Sequence, residues 1–144
     1  MRILVQRCDK ASVSVDNKIV GSIEKGMMIL VGFTQTDTNE TIDYMIDKLL
    51  NLRIYDDEAG VMNKSILDVG GSILSVSQFT LYADTRKGRR PSYVNALNGE
   101  KSIVLYDEFN RKLKEHIHVE TGIFGAEMKV ELINDGPVTI MLEK

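Results

Sequence analysis

Residues 27–33 read Met-Met-Ile-Leu-Val-Gly-Phe, a continuous apolar run that follows Lys25-Gly26. A short run of this kind, bounded by a turn-forming pair, is typical of a β-strand that is covered on both faces. We therefore expect this strand to lie deep in the core, with the other elements arranged around it.

Further strands are predicted on both sides of this run. Residues 1–7 begin as a strand, and residues 11–15 alternate apolar and polar side chains. Asp16-Asn17 supplies turn chemistry before residues 18–23 resume an extended pattern, which predicts a β-hairpin. Residues 73–79 are rich in β-branched and aromatic residues, so a second buried strand is expected there.

Two helices are predicted from the spacing of apolar residues. Asp37 and Glu40 precede the first helix at the spacing of a capping box. Its apolar residues fall at i, i+3, i+4, i+7 and i+8, namely Ile42, Met45, Ile46, Leu49 and Leu50. Asn98 is a candidate N-cap for the second helix, whose apolar face comprises Leu105, Phe109, Leu113 and Ile117.

The C-terminal part of the chain predicts two strands around a tight turn. Residues 128–132 alternate in polarity, Asn134-Asp135-Gly136-Pro137 has turn composition, and residues 138–142 are again strand-like. With no repeat or linker, residues 1–144 are expected to form one domain of mixed α and β class. In it, curved mixed β-sheets would make a barrel- or sandwich-like core with two main helices packed on the outside.

The composition is that of an ordinary globular domain, with 43% hydrophobic and 27% charged residues. No apolar run approaches the roughly 20 residues that span a bilayer, so no membrane association is expected. Cys8 is the only cysteine, which excludes an intrachain disulfide and favours a reducing cytoplasm. The net charge of −3 argues against a protein that coats nucleic acid, although a local basic patch remains possible.

Residue types that often bind metals or act as nucleophiles are interpreted here as structural. His116 and His118 stand near a helix end without a neighbouring cysteine, so we predict no metal site and no cofactor. Cys8 has no histidine beside it in the sequence and is predicted to be a small buried residue. Core filling is predicted for Met27, Met28, Met45 and Met141.

Two segments carry groups that core packing does not require. Ser77-Gln78-Phe79-Thr80 places two hydroxyls and an amide at the end of an apolar strand, either as satisfied side chains or as the floor of a pocket. Gly136-Pro137 has the composition of an ordinary turn. It also has no side-chain bulk on the glycine and no N–H on the proline, so its carbonyls could face a ligand. The residues alone leave both interpretations open.

These segments resemble the D-aminoacyl-tRNA deacylase family, whose hallmark motifs are Ser-Gln-Phe-Thr-Leu and Asn-x-Gly-Pro-Val-Thr. Both motifs occur without substitution, at residues 77–81 and 134–139. The likeness extends to the N-terminal residues and to residues 87–93 and 121–128, and it covers nearly the whole chain in order. Tyr93 stands where many members have phenylalanine, a mild departure that puts no role in doubt.

The resemblance implies a homodimeric hydrolase that cuts D-amino acids, and glycine, from tRNA. Gly136-Pro137 of each subunit, held in cis, would enter the pocket of the partner beside residues 77–80. Main-chain atoms there would drive an L-side chain into the wall, whereas a D-side chain would point to solvent. Glycine, which has no side chain, would escape this filter.

Site roles are assigned from the chemistry of an aminoacyl ester, which is already activated. Thr80 would orient the reactants first and act as a nucleophile only second, since no base is visible. Main-chain N–H groups near Phe79 and Thr80 would hold the oxyanion, and Ser77 and Gln78 would shape the pocket. The resemblance further implies substrate contacts by Ala126, Met128, Gly136 and Pro137, with Arg7 as a candidate to brace the pocket.

Residues 86–90 gather four cations in a predicted loop, either as a solvated charged surface or as a phosphate-binding one. With the resemblance, contacts to the acceptor end of tRNA are predicted for Arg86, Lys87, Arg89 and Arg90. Two other functions stay open, a dimeric RNA-binding module without catalysis and a small-molecule esterase that uses Thr80. The esterase would be expected to show a Ser or Cys nucleophile with a histidine in a recognisable motif.

Overall fold

The computed structural model describes all 144 residues. Its strands are β1 (Arg2–Val15), β2 (Lys18–Ile23), β3 (Gly26–Gly32), β4 (Tyr55–Asp56), β5 (Met62–Lys64), β6 (Ser72–Ser77), β7 (Val119–Thr121) and β8 (Lys129–Glu143). Its α-helices are α1 (Asn39–Leu50), α2 (Ile66–Val69) and α3 (Gly99–Leu113), and a 3-10 helix covers Phe79–Tyr82. None of the helices combines the length and apolarity that a membrane span requires.

Six strands form one mixed sheet in the order β2-β1-β3-β6-β7, with β8 paired to β1. β1 is antiparallel to β2, β3 and β8, whereas β6 is parallel to β3 and β7. β2 also contacts β6 and β7, so the sheet curls into a nearly closed barrel. The prediction of a mixed α and β fold with a curved barrel-like core is confirmed, and the hairpin at Asp16-Asn17 connects β1 to β2 as expected.

The apolar run that follows Lys25-Gly26 forms β3 at the centre of the sheet, as predicted. Met28 and the half-buried Leu30 pack on one face, in the smaller of two hydrophobic clusters. The opposite face packs in the larger cluster, beneath α1 and α3, through Met27, Ile29 and Val31. Two covered faces explain why this strand has no polar residue.

The first helix is confirmed, and its five predicted apolar residues are all buried. The predicted capping box of Asp37 and Glu40 is wrong by one residue, because Thr38 is the N-cap and its N–H donates to Thr41 Oγ1 at 3.2 Å. Asp37 instead accepts a hydrogen bond from the α-amino group of Met1. One carboxylate oxygen therefore binds a long-range partner, and the other accepts the N–H of Thr34 at 2.8 Å instead of an N–H of the helix.

The second predicted helix is α3, and its cap is confirmed because Asn98 Oδ1 accepts the N–H of Lys101 at 3.0 Å. The buried face differs from the prediction by one residue, since it includes Tyr106 while Leu105 is only half-buried. Ile117 lies beyond the end of the helix, although it still packs against the core.

Two strand boundaries differ from the predictions. β6 ends at Ser77 rather than at Phe79, because the chain turns at Gln78 into the 3-10 helix. The C-terminal hairpin is wrong, since β8 is one continuous strand that pairs with β1 along both of its halves. Met141 lies on this edge strand and is 45% exposed, so its assignment to the core is also wrong.

Candidate active site

A cavity of about 610 Å³ opens where β3 and β6 end, beside the beginning of α3. Five residues predicted for the site line it together, namely Ser77, Gln78, Phe79, Ala126 and Met128. Most of the other lining side chains are apolar, and none of the lining residues carries a charge. The cavity therefore offers hydroxyl, amide and main-chain groups, but no carboxylate, imidazole or ammonium group.

The turn that bounds the cavity is held against the end of β3. The N–H of Gln78 donates to Val31 O at 2.7 Å, which extends the parallel pairing of β3 and β6 by one bond. A Cβ atom on Gly32 would lie 2.8 Å from Gln78 O and 3.3 Å from Leu81 Cβ. Only glycine at position 32 allows this close approach without moving the turn.

Thr80 is half-buried and is not among the residues that line the cavity, but it is tied to one that is. The Gln78 side-chain amide donates to Thr80 Oγ1. An amide cannot remove a proton, so this contact orients the hydroxyl without activating it as a nucleophile. Phe79 and Thr80 also occupy the first turn of the 3-10 helix, where N–H groups have no acceptor within the helix.

Gly136-Pro137 lies in an irregular part of β8, between the pairing of Gln6 with Thr139 and that of Cys8 with Asn134. The Gly136-Pro137 peptide bond is cis, and both residues are exposed. Neither residue lines the cavity of its own chain. We call residues 134–138 the β8 bulge.

The side chain of Asn134 fixes the two ends of the β8 bulge. Its Oδ1 accepts the N–H of Val138 at 2.8 Å, and its Nδ2 donates to Val138 O at 3.1 Å. Both main-chain polar groups of Val138 are thus bound by one amide, which leaves Gly136-Pro137 projecting between fixed ends.

Arg7 is buried against the β8 bulge and does not line the cavity. Its Nε donates to Asp135 O at 3.0 Å and lies 3.2 Å from Asp135 Oδ2, while its Nη1 donates to Ile54 O at 2.6 Å. A buried guanidinium is tolerated when it is paired and hydrogen-bonded in this way. Within its own chain Arg7 therefore contacts the β8 bulge and not the cavity, so the predicted bracing of the pocket stays a prediction.

Residues 86–90 form an exposed loop, which we call the basic loop. Arg86 binds both carboxylate oxygens of Asp84, at 2.9 and 2.6 Å, and this hydrogen bonding lowers the pKa of Asp84 to about 2. Lys87, Arg89 and Arg90 form no ion pair within the chain. Three of the four predicted cations are therefore free to contact phosphates.

Sequence reasoning did not assign several aromatic and apolar residues that line the cavity. Tyr93 lies at its mouth, edge-on to Phe79 with 5.1 Å between ring centroids, and Leu97 and Phe124 line it further in. Tyr93 and Phe124 lie in segments that match the family pattern, but no local pattern in the sequence places their side chains at a cavity.

Cys8 and the two histidines lie outside this site. Cys8 is buried as predicted, and burial raises the pKa of its thiol to about 11. His118 Nε2 lies 3.2 Å from Glu120 Oε1. No three histidine, cysteine or acidic side chains lie together in a way that could hold a metal ion.

Comparison with known families gives one match that covers nearly the whole chain. Residues 4–143 match the family described as D-Tyr-tRNA(Tyr) deacylase. A D-aminoacyl-tRNA deacylase of Listeria monocytogenes serotype 4a is 57% identical over 144 residues, which cover 99% of this chain and 95% of the relative. A D-aminoacyl-tRNA deacylase of Clostridium kluyveri is 55% identical over 144 residues, with 99% and 97% covered.

Solved structures show the same architecture. A protein described as c-Myc DNA Unwinding Element Binding Protein superposes with a TM-score of 0.95 at 38% identity, covering 100% of this chain and 99% of that one. A probable eukaryotic D-amino acid tRNA deacylase gives a TM-score of 0.84 at 20% identity, covering 98% and 97%. At that lower identity the likeness concerns the fold alone.

Proposed function

The chain belongs to the D-Tyr-tRNA(Tyr) deacylase family, and we propose that it hydrolyses the ester bond between a D-amino acid and tRNA. The observation that carries the proposal is a pair of complementary features. One is an uncharged cavity lined by Ser77, Gln78 and Phe79, and the other is the projecting Gly136-Pro137, which does not line the cavity of its own chain. The cavity has no projecting main-chain segment of its own chain beside it, and Gly136-Pro137 has no cavity of its own chain to enter.

We propose that two copies of the chain bring these features together in a homodimer. β8 pairs only with β1, so its other edge is open over a long strand. It also exposes apolar side chains, since Ile133 is 49% and Met141 is 45% exposed. Long open edges with apolar residues favour pairing with another chain. In this dimer, Gly136-Pro137 of each copy enters the cavity of the other.

Selection for D-amino acids would then follow from exclusion by main-chain atoms. The β8 bulge is held by Asn134 and Arg7, so it cannot move aside for a bulky group. An L-side chain would clash with it, whereas a D-side chain would point to solvent. Each roughly 1.4 kcal/mol of clash lowers binding tenfold. Glycine has no side chain to clash, so glycyl-tRNA is a substrate in this proposal as well.

The chemistry proposed for the site needs no strong base. An aminoacyl ester reacts readily with water, so positioning and stabilisation of the oxyanion account for most of the catalysis. The first-turn N–H groups of Phe79 and Thr80 would hold the developing negative charge. The Thr80 hydroxyl accepts the amide proton of Gln78 and can donate its own proton to the substrate.

The basic loop is proposed to bind the acceptor end of tRNA. Lys87, Arg89 and Arg90 are free to contact phosphates, and Tyr93, which lines the cavity, follows three residues after Arg90. A local positive charge on the basic loop is compatible with the net charge of −3 of the whole chain, because the loop has to bind only the acceptor end of the tRNA. Since aminoacyl-tRNA is consumed where translation takes place, we propose the cytoplasm as the compartment.

A deacylation assay on D-tyrosyl-, L-tyrosyl- and glycyl-tRNA tests the proposed function. We expect the purified protein to release D-tyrosine and glycine and to leave L-tyrosyl-tRNA intact. Equal rates on the two tyrosyl-tRNAs would contradict selection by exclusion. Binding of tRNA without any release would indicate an RNA-binding module instead.

Replacement of Thr80 by alanine tests its proposed role. Loss of one orienting hydrogen bond is expected to lower kcat about tenfold, while KM changes little. Thr80→Ser, which keeps the hydroxyl, is the matched control and is expected to retain most of the activity. If Thr80→Ala lowers kcat about 10⁴-fold or more with substrate binding intact, Thr80 is the nucleophile and the orienting role is wrong.

A further inference from the structure

Residues 83–98, between the 3-10 helix and α3, contain no regular helix or strand, and only Asp84 and Ser92 form an isolated bridge. This segment nevertheless forms one side of the cavity, through Tyr93, Ala96 and Leu97. We call residues 93–97 the cavity wall. An irregular segment depends for its position on hydrogen bonds to other parts of the chain.

Two side chains directly after β3 hold three consecutive carbonyl groups of the cavity wall. Gln35 Nε2 donates to Val94 O at 3.0 Å and to Ala96 O at 3.1 Å. Thr34 Oγ1 lies 2.7 Å from Asn95 O, the carbonyl between them. The cavity wall is therefore bound to the end of the central strand.

Gln35 is suited to this contact because its amide has two N–H donors and both are used. The two carbonyl acceptors require the amide orientation that directs the NH₂ group at them. A glutamate of the same shape would place a carboxylate, which only accepts hydrogen bonds, against two carbonyl oxygens.

The contact is coupled to the proposed catalytic turn. Tyr93 precedes the bound carbonyls and touches Phe79, at the beginning of the 3-10 helix, with ring centroids 5.1 Å apart. On the other side, the N–H of Leu97 donates to Phe33 O at 2.9 Å. The carbonyl groups bound by Gln35 thus lie between Tyr93, which contacts Phe79, and Leu97, which is bound to Phe33.

We propose that Gln35 is a positioning residue that holds the cavity wall at the distance needed to bind the aminoacyl end of tRNA. This proposal rests on the proposed function. Gln35 is exposed and packs in neither hydrophobic cluster, so its removal takes nothing from the core. Its main effect is expected on substrate binding, because Gln35 itself binds carbonyl groups of the cavity wall and forms no hydrogen bond with the 3-10 helix that carries the groups proposed for chemistry.

The test compares Gln35→Ala and Gln35→Glu with the wild type in steady-state hydrolysis of D-tyrosyl-tRNA. Gln35→Ala is expected to raise KM about tenfold, with kcat within about twofold of the wild type. Gln35→Glu is expected to raise KM further. Its KM should fall again as the pH approaches the ordinary glutamate pKa of about 4.3, because the protonated acid can donate one hydrogen bond. Gln35→Ala should show no such pH rescue.

Asn63→Ala is the matched control. Asn63 is an exposed amide in β5, bound to Arg53 and Asp57, and it does not line the cavity. Its loss is expected to leave KM unchanged. Hydrogen exchange at the Leu97 amide, which reports on the cavity wall directly, should be faster in Gln35→Ala and unchanged in Asn63→Ala.

An active wild type whose KM is unchanged by Gln35→Ala overturns the role of Gln35 alone. A raised KM without faster exchange at Leu97 also overturns it, because the effect would then not pass through the cavity wall. A wild type that does not hydrolyse D-tyrosyl-tRNA overturns the proposed function, and this role of Gln35 with it.

Discussion

Gly136→Ala is expected to lower kcat/KM for D-tyrosyl-tRNA about a hundredfold or more. Gly136 has a φ of +132°, a conformation that residues with a side chain rarely adopt. A Cβ atom there would also lie 2.8 Å from Val138 Cγ2 and 3.1 Å from Arg7 Nη2. The β8 bulge must therefore rearrange, and the main-chain surface that we propose to exclude L-amino acids is lost.

Gly60→Ala is the control for backbone strain, since Gly60 also has a positive φ, of +75°, but no atom lies within 4 Å of its added Cβ. Gly60 lies in the connection between β4 and β5, away from the cavity. Its replacement is expected to cost about 1 kcal/mol of stability without changing kcat/KM. Wild-type rates and wild-type selectivity in Gly136→Ala would contradict the role of the β8 bulge.

Gly32→Ala is expected to lower kcat about a hundredfold, because misplacement by about 1 Å can have that effect. The added Cβ would lie 2.8 Å from Gln78 O, a main-chain atom that cannot rotate away. The turn that carries Gln78, Phe79 and Thr80 must shift, and the proposed oxyanion donors shift with it. Unfolding in urea should show a stability loss of about 1–3 kcal/mol.

Gly21→Ala separates this effect from lost stability. Its Cβ would also lie 2.8 Å from a main-chain oxygen, that of Thr121, but at the contact between β2 and β7. It is expected to lose stability in the same range and to keep its kcat when both variants are assayed well below their unfolding temperatures. Equal losses of kcat in the two variants would show that Gly32 acts only through stability.

The elements that could be predicted from the sequence are those decided by local pattern. β3 and α1 could be predicted from the spacing of their apolar residues, because the side chains that each element buries lie close together in its own sequence. Asp37 was misassigned because its carboxylate binds no helix N–H: it accepts the N–H of Thr34 and the α-amino group of Met1, which is far away along the chain. No local pattern contains that contact.

The C-terminal error has a similar physical cause. Residues 134–137 have turn composition, but β1 is long enough to pair with β8 on both sides of them, so the chain continues in the same direction. The extra residues become a bulge in one strand instead of the tip of a hairpin. The pairing of β1 with β8 therefore decided the local conformation, although residues 134–137 have the composition of a turn.

The motifs of the candidate site could be predicted from the sequence, but the residues that form and position the rest of the cavity lining could not. Ser77 and Gln78 stood out because polar groups at the end of an apolar strand need an explanation. Gln35 and Leu97 carry no such signal, since a glutamine that binds carbonyl groups and a leucine that lines a cavity become recognisable only in the folded chain.

A mixed dimer of Gly32→Ala and Gly136→Ala chains, purified through two different tags and assayed on D-tyrosyl-tRNA, tests the shared site most directly. One of its two sites combines both defects, and the other combines the intact cavity of one chain with the intact bulge of its partner. We expect the mixed dimer to recover about half of the wild-type rate per dimer, although each parent variant is nearly inactive. A mixed dimer no more active than its parents would contradict an active site built from two chains.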